Sequence, residues 1–368
     1  MNILIKQKRG IGDFVFALFF TQSVKMKFPF AEIYYDVLEE YSELLDYFKC
    51  KKNIKVNYDL IIDLNRNIKT KNFLLHEVER YFLTHKYLNL DIKEAKILPR
   101  KRSVDEKKIL LAIGARIPTR RWTCDNYIQL VKYLESNNFE VVLVGGKDAI
   151  EEAKEIEKVT KADNKVGKLS LVGTCKQIET AEFVIANDSG IAHLASAIGT
   201  PVFVMTFNKV QNNFRWAPWT TDAYIIRGDH NCSLVCYSSE CKEVFCREAL
   251  DFEYVKSEFN KFLSGKRNSL NKTEIAKNSL FFLFDNQDEL YDSLQANGYK
   301  VFFYNKKDNL KEFIIKNNVN VLVNTKINFL FVKLIYISNF VSEFPLLIKT
   351  KKTKSLDFLS EIINKYAK

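Results

Sequence analysis

The stretch IANDSGIAHLASAIGTPVFVMT, Ile185 to Thr206, sets Asp188, Ser189, Gly190 and His193 at one junction. An apolar run ends at Ala186, a polar turn follows, and Gly199 with Pro201 stops the short helix that comes next. The chemistry on offer is anion binding. The first amides of a helix have no intrahelical partner, and the helix dipole draws negative charge to them. His193 falls within the first turn or so, close enough to act with those amides. The competing reading makes Asp188 or Ser189 a plain helix cap and His193 a partly buried structural residue.

A second constellation is RGIGD, Arg9 to Asp13, after the apolar run NILIK. Gly10 and Gly12 do not complete a dinucleotide fingerprint, because Val15 stands where the third glycine belongs, and no G-x-x-x-x-G-K-[ST] occurs anywhere. Gly12 allows a ligand to approach the backbone. Asp13 at the mouth of such a loop is placed to act as a general base, or to cap the helix that follows.

The third is GARIPTRRW, with Arg116, Arg120 and Arg121 after another apolar run. Guanidinium groups fork onto phosphate oxygens, so the cluster suits an anionic ligand; the alternative is a solvated loop. VGGKD puts Gly145 and Gly146 at a strand end, which fits close approach of a ligand or simply a tight turn. Cys232, Cys236, Cys241 and Cys246 are a candidate zinc or iron site. They lack a C-x-x-C pair, and reduced structural thiols are the leading alternative, with disulfides behind.

Strand-like runs alternate with helical patterns along the whole chain, which predicts α/β architecture with parallel sheets. NILIK, AEIYYDV and YDLIIDL read as strands of a first unit, with helices in FVFALFFTQSVKMKF and KTKNFLLHEVERYFLTHKYLNL. The charged segment LPRKRSVDEKK separates it from a second unit, with the boundary near Arg102. The polar stretch after Gly265 leads to a third, smaller α/β unit, in which LFFLFD, KVFFYN and VNVLVNT are strands and ELYDSLQANGY and NLKEFIIKNN helices. The expected units are 1–102, 103–265 and 279–368.

With 47% hydrophobic and 27% charged residues, the composition is that of a globular chain, not a disordered or fibrous one. Lys and Arg outnumber Asp and Glu by 56 to 45, a field that favours anionic partners. No basic helix with interleaved aromatics appears, so nucleic acid is not an expected partner. The N-terminus reads as a strand, not a signal peptide, and the run Ile327 to Val341 is broken by Lys333 and shorter than the roughly 20 residues of a membrane span. A cytoplasmic location is expected.

In order along the chain, RGIGD, YDLIIDL, HEVERYF, GARIPTRRW, EVVLVGG, VGKLSL and IANDSGIAHLASAIGTPV resemble the motifs of glycosyltransferase family nine, the bacterial heptosyltransferases of lipopolysaccharide inner core, over about Met1 to Lys261. The resemblance implies a GT-B fold: two Rossmann-like domains facing across a cleft, acceptor on the first (1–102), nucleotide-sugar on the second (103–265), with 279–368 as an extension outside it. It implies inverting transfer from a nucleotide-diphosphate sugar, ADP-heptose favoured, to a glycan or lipid-linked acceptor, with no cofactor and peripheral contact with an anionic membrane. Asp13 would be the base, and Arg120 would match the basic residue of the family's Lys-x-Trp motif. Asp188, Ser189, Gly190 and His193, with Gly12, Arg121, Gly145 and Gly146, would hold the donor. The chain contains no Asp-x-Asp metal motif. It departs from the family at Arg120, where lysine is usual, at Val172, where some members carry an acidic ribose contact, and in a short first domain. A binding module of the same fold without activity is the alternative.

Overall fold

A computed structural model describes residues 1–54, 56–65, 76–97, 101–115, 120–207, 215–227, 247 and 249–267, with the strand backbones at 280–283, 300–303, 321–323 and 346–348. The first sheet comes from β1 (Asn2–Gln7), β2 (Glu32–Val37), β3 (Lys51–Lys52) and β4 (Leu60–Asp63), interleaved with α1 (Ile11–Lys27) and α2 (Ser42–Tyr47) and followed by α3 (Glu77–Thr84). Its order is β3-β2-β1-β4, with every pairing parallel. β1 is covered on both faces, which is why Ile3, Leu4 and Ile5 are consecutive and all buried. Phe14 to Phe20 are buried on every side of α1, the condition under which a helix can be apolar all round.

The second sheet holds six parallel strands in the order β10-β9-β8-β5-β6-β7. They are β5 (Asp105–Ala112), β6 (Glu140–Val144), β7 (Asp163–Asn164), β8 (Ala181–Asn187), β9 (Val202–Thr206) and β10 (Ala223–Arg227). Around them lie α4 (Cys124–Ser136), α5 (Ile150–Val159), α6 (Leu171–Thr180), α7 (Gly190–Ile198) and α8 (Phe252–Leu263). A third parallel sheet, β12-β11-β13-β14, is formed by β11 (Leu280–Leu283), β12 (Lys300–Phe303), β13 (Val321–Val323) and β14 (Leu346–Ile348).

Strand order reverses at one point in each of the first two sheets. In the first the chain steps from β1 to β2 and β3 on one side, then returns to place β4 on the other. In the second the reversal falls between β5 and β8. The loops that leave the carboxyl ends of such strand pairs diverge and leave a crevice, so ligands of open α/β sheets bind there.

Two expectations need correction. The helix read across KTKNFLLHEVERYFLTHKYLNL is, within the described residues, only Glu77–Thr84. It begins where it does because the His76 ring accepts from the Val78 amide at 3.0 Å while Glu79 Oε2 accepts from the His76 amide at 2.7 Å, a reciprocal cap. The charged segment before the second unit is not all linker: β5 already starts at Asp105, pairs with Ala181, and shifts register before Ile109. Its charged residues sit at the exposed strand end, where parallel pairing and solvation are compatible. The helices expected at ELYDSLQANGY and NLKEFIIKNN lie outside the described residues.

The first two sheets share one apolar cluster, from Ile3 through Phe16 and Leu194 to Ala223. α1 packs on α7, and α2 on α6, where Tyr47 donates to Glu179 at 2.7 Å and Glu43 accepts from the Leu171 amide at 2.8 Å. At the α1–α7 contact a Cβ on Gly12 would stand 2.7 Å from the His193 ring, and one on Gly190 would stand 2.9 Å from Ile11 Cβ. A Cβ on Gly10 would meet nothing closer than 3.8 Å. Gly12→Ala is therefore expected to lower stability by about 1–3 kcal/mol through overpacking, with Gly10→Ala close to neutral. Urea denaturation of both variants tests this, and equal stabilities would contradict the packing.

Candidate functional site

The reversal in the second sheet sets the end of β8 beside the loop that follows β5. Asn187, fully buried, locks them together: Tyr127 Oη donates to its Oδ1 at 2.9 Å, and its Nδ2 donates to the Ile113 carbonyl at 3.2 Å. The next residue, Asp188, then meets Arg120 at 3.2 Å, with the two side chains 13% and 31% exposed. Two groups separated by 68 positions in sequence thus form one half-open ion pair at the start of α7.

α7 has no side-chain cap. Ser189 is its capping residue, in extended conformation, yet its hydroxyl makes no cap bond, and its buried Oγ has no hydrogen-bond partner. The plain-cap reading of Ser189 is thereby removed, and the helix start at Gly190 follows two residues after the Asp188 that pairs with Arg120. Gly199 closes the helix in the left-handed region at φ 86°, as a glycine stop requires.

His193 is buried between the units. Its ring lies edge-on to Phe16 at 4.9 Å between centroids, and its Nδ1 has no hydrogen-bond partner. Burial pushes its pKa down to about 4, against a partial rise from Asp188. It is neutral at physiological pH, so any part it takes at an anion is that of a neutral hydrogen-bonding group.

In the first sheet the reversal sets the β1–α1 loop beside the chain leaving β4: the Lys8 amide donates to Asn65 at 2.7 Å. Asp13 stands in the first turn of α1, its side chain 15% exposed. No side-chain cap bond closes the start of α1, and the Gly10 backbone favours the ionised form of Asp13 only in part. Arg9 Nε faces Asp13 Oδ1 at 3.4 Å. Burial lifts the Asp13 pKa to about 6, with Arg9 pulling down and Glu77 pushing up. A carboxylate with that value is ionised at neutral pH and still basic enough to take a proton.

The remaining expected residues have other surroundings. Arg121 donates to the Ala115 and Asp148 carbonyls at 2.9 and 2.8 Å and pairs with Asp148 at 2.9 Å, tying the loop after β5 to the loop after β6. Gly145 accepts from the Gly167 amide at 3.0 Å and packs on Gly114, so its turn is filled by the protein's own backbone. Arg116 and the four cysteines Cys232, Cys236, Cys241 and Cys246 lie outside the described residues. Cys50, Cys124 and Cys175 form no disulfide, and no cluster of metal-ligating side chains occurs among the described residues.

Sequence reasoning missed Arg9, Glu77 and Arg215. The Glu77 side chain is fully buried, and it pairs with Arg9 at 3.2 Å and with Arg215 at 3.0 Å. Arg9 and Glu77 lie within the motifs RGIGD and HEVERYF, so the signal was present, but nothing in it said that the two segments meet.

Residues 67–244 match glycosyltransferase family 9 (heptosyltransferase), a stretch that includes Arg120, Asp188 and His193 but not Asp13. Over 94 residues the chain is 29% identical to lipopolysaccharide heptosyltransferase 2 of Salmonella typhimurium, covering 24% of this chain and 27% of that protein. The chain thus spans about a quarter of the length of the curated relative it matches. Its fold is similar to that of a glycosyl transferase family 9 protein from Veillonella parvula, with TM-score 0.60, 15% identity, and 72% and 98% of the two chains covered. It is similar also to heptosyltransferase WaaC of E. coli with ADP, at 0.56, 15%, 71% and 100%. A third likeness is to the iron-containing dodecameric glycosyltransferase TibC of enterotoxigenic E. coli, at 0.52, 13%, 72% and 76%. Residues 67–244 thus resemble the heptosyltransferases of family 9, and the chain has the α/β, GT-B fold of these solved structures.

The neutral, buried His193 has a consequence for stability. From its ordinary 6.5 down to about 4, the unfolded chain takes up a proton that the folded chain refuses, so this group makes stability fall as pH drops through that window. At most it accounts for about 3 kcal/mol. His193→Gln is expected to lose less stability than the parent protein between neutral pH and about pH 4.5. Denaturant titrations at the two pH values check this, and identical losses would show that the imidazole titrates normally.

Proposed function

We propose that the protein is an inverting, metal-independent glycosyltransferase that moves a sugar, heptose by family analogy, from a nucleotide-diphosphate donor to a glycan or lipopolysaccharide-type acceptor. One observation supports this above the others. The helix turn that carries Asp13 packs against the helix turn that follows the Arg120–Asp188 pair, through Gly12 on His193 and Ile11 on Gly190. A basic carboxylate and an anion-binding helix start are thereby brought to one place from two sheets.

In this reading residues 1–102 receive the acceptor and 103–265 the donor. Asp13 takes the proton of an acceptor hydroxyl, whose oxygen attacks the anomeric carbon from the side opposite the diphosphate. The bond from that carbon to the diphosphate oxygen breaks, the electron pair leaves with the nucleotide, and the configuration inverts. The amides at Ser189 to Ile191 and the Arg120 guanidinium stabilise the charge that develops on the leaving group. Gly12, Arg121, Gly145, Gly146 and His193 shape the donor side, Arg121 by holding its loop. The cationic donor side can do this work without a metal; the iron of TibC belongs to that protein. ADP is the favoured nucleotide by analogy with the ligand of WaaC.

The lipid-linked acceptor places the enzyme at the cytoplasmic face of the membrane. An excess of 11 positive charges favours such an anionic surface. No helix among the described residues is long and apolar enough to cross it. Sedimentation with anionic vesicles, but not with zwitterionic ones, is the expected result at low salt, and equal partition would remove the membrane from the account.

With a chelator present throughout, the parent protein should transfer sugar from ADP-heptose, and kcat/KM should fall with acidity through about pH 6 as Asp13 takes up its proton. Asp13→Asn should abolish transfer with donor affinity nearly unchanged, whereas Arg120→Ala should weaken binding of the nucleotide diphosphate. Full turnover in Asp13→Asn would exclude it as the base. A chelator-sensitive reaction would exclude the metal-free mechanism, and donor binding without transfer by the parent protein would leave the inactive binding module.

A further inference from the structure

We propose that Glu77 is a positioning residue for Asp13: wholly buried between Arg9 and Arg215, it fixes the guanidinium that faces the Asp13 carboxylate and ties that arrangement to the second sheet. The inference rests on the reading of Asp13 as the base.

The geometry is a chain of four charged groups. Arg215 Nε lies 3.0 Å from Glu77 Oε2, Arg9 Nη2 lies 3.2 Å from Glu77 Oε1, and Arg9 Nε lies 3.4 Å from Asp13 Oδ1. Arg9 Nη2 also donates to the Leu64 carbonyl at 2.9 Å, and its backbone amide donates to Gln7, which itself bonds Tyr81. Arg9 is thus held at several points, and its Nε stands 3.4 Å from Asp13 Oδ1 as a charge neighbour, without a hydrogen bond between them. Arg215 comes from the segment before β10, its guanidinium lying over the Trp216 ring at 4.7 Å, and that ring stacks at 6.3 Å on Phe16 of α1.

Charge balance explains why a carboxylate is placed there. With Asp13 ionised, these four charged groups, Asp13, Arg9, Glu77 and Arg215, sum to zero among the described residues of a largely buried cluster. Without Glu77 two cations would face one carboxylate. Arg9 would be free to close onto Asp13, and the carboxylate would hold its charge too well to accept a proton. Without Arg9 the buried Asp13 would face Glu77 directly and would keep its proton to higher pH. Glu77 and Arg9 therefore act on Asp13 in opposite senses. Among the described residues, Tyr81 on α3 and the neutral His193 on α7 also face this turn, and neither carries charge near neutral pH.

The test is the pH profile of kcat/KM in Glu77→Gln, Arg9→Gln and Arg215→Gln, with donor KM and thermal stability measured alongside. Glu77→Gln should lose about tenfold or more in kcat and move the acidic limb down by about one pH unit. Arg9→Gln should move it up. Donor KM should change little in Glu77→Gln, because the Arg120–Asp188 pair is a separate group. Glu77→Asp should return the limb toward its original position. Limbs that stay in place in both variants, or that move in the same direction, overturn the proposal. Should Glu77→Gln fail to fold, Arg215→Gln at the rim of the cluster reads the same network: its limb should rise, and an unmoved limb counts against the proposal. Asp13→Asn separates the two readings. If it keeps full turnover, the base lies elsewhere; if it is inactive while the Glu77→Gln and Arg9→Gln limbs do not move, Asp13 stands and Glu77 is excluded.

Discussion

Two helix starts, one from each sheet, lie against each other with only glycine between them: Gly12 beneath the His193 ring and Gly190 beneath Ile11. Any side chain at either position would force the helices apart, so the contact depends on two missing Cβ atoms. The rest of the site follows from it. Asp13 stands one residue from Gly12, and Asp188 stands two residues before Gly190, so the glycine contact brings together the two loops that carry the candidate groups. The shared apolar cluster makes this contact part of the core rather than a loose junction.

Each side of that contact is prepared by the same topological device. A parallel sheet whose strand order reverses brings together two chain segments that are far apart in sequence. At β5 and β8 the device joins Arg120 to Asp188; at β1 and β4 it joins Arg9 to the chain that leads into Glu77. The two sides differ in electrical character. The second sheet offers an uncapped helix start beside a cation, suited to an anion. The first offers a carboxylate whose charge is destabilised by burial and moderated by a neighbouring arginine. In the proposed reading, acid–base work and anion binding are divided between the sheets, as transfer from a charged donor to a neutral hydroxyl would demand.

His193 shows how burial changes a residue's meaning. By type and position it is a cation candidate at a candidate anion site. Packed on Phe16 and Gly12, it costs less to leave neutral than to charge, so its contribution is shape and one unpaired ring nitrogen. Arg121 shows the same for hydrogen bonding. One of two adjacent arginines is committed to backbone carbonyls and Asp148, while the other is left at the helix start.

Much was legible in the sequence because it is local. Periodicity identified the strands, Gly199 and Pro201 the end of α7, and the motifs RGIGD and IANDSGIAHLASAIGTPV the two loops of the candidate site, since turns and helix ends are set by residues a few positions apart. Non-local facts were not legible. That α3 starts only at Glu77 depends on a ring nitrogen of His76; that Ser189 makes no cap bond is settled only in the packed chain; that Arg9, Glu77 and Arg215 form one cluster depends on three segments meeting. The sequence by itself determined which elements form and which groups can carry charge. Tertiary structure alone decided which of those charges face one another and which are silenced by burial, because Coulombic and desolvation energies depend on distance and surroundings in space, and chain order specifies neither.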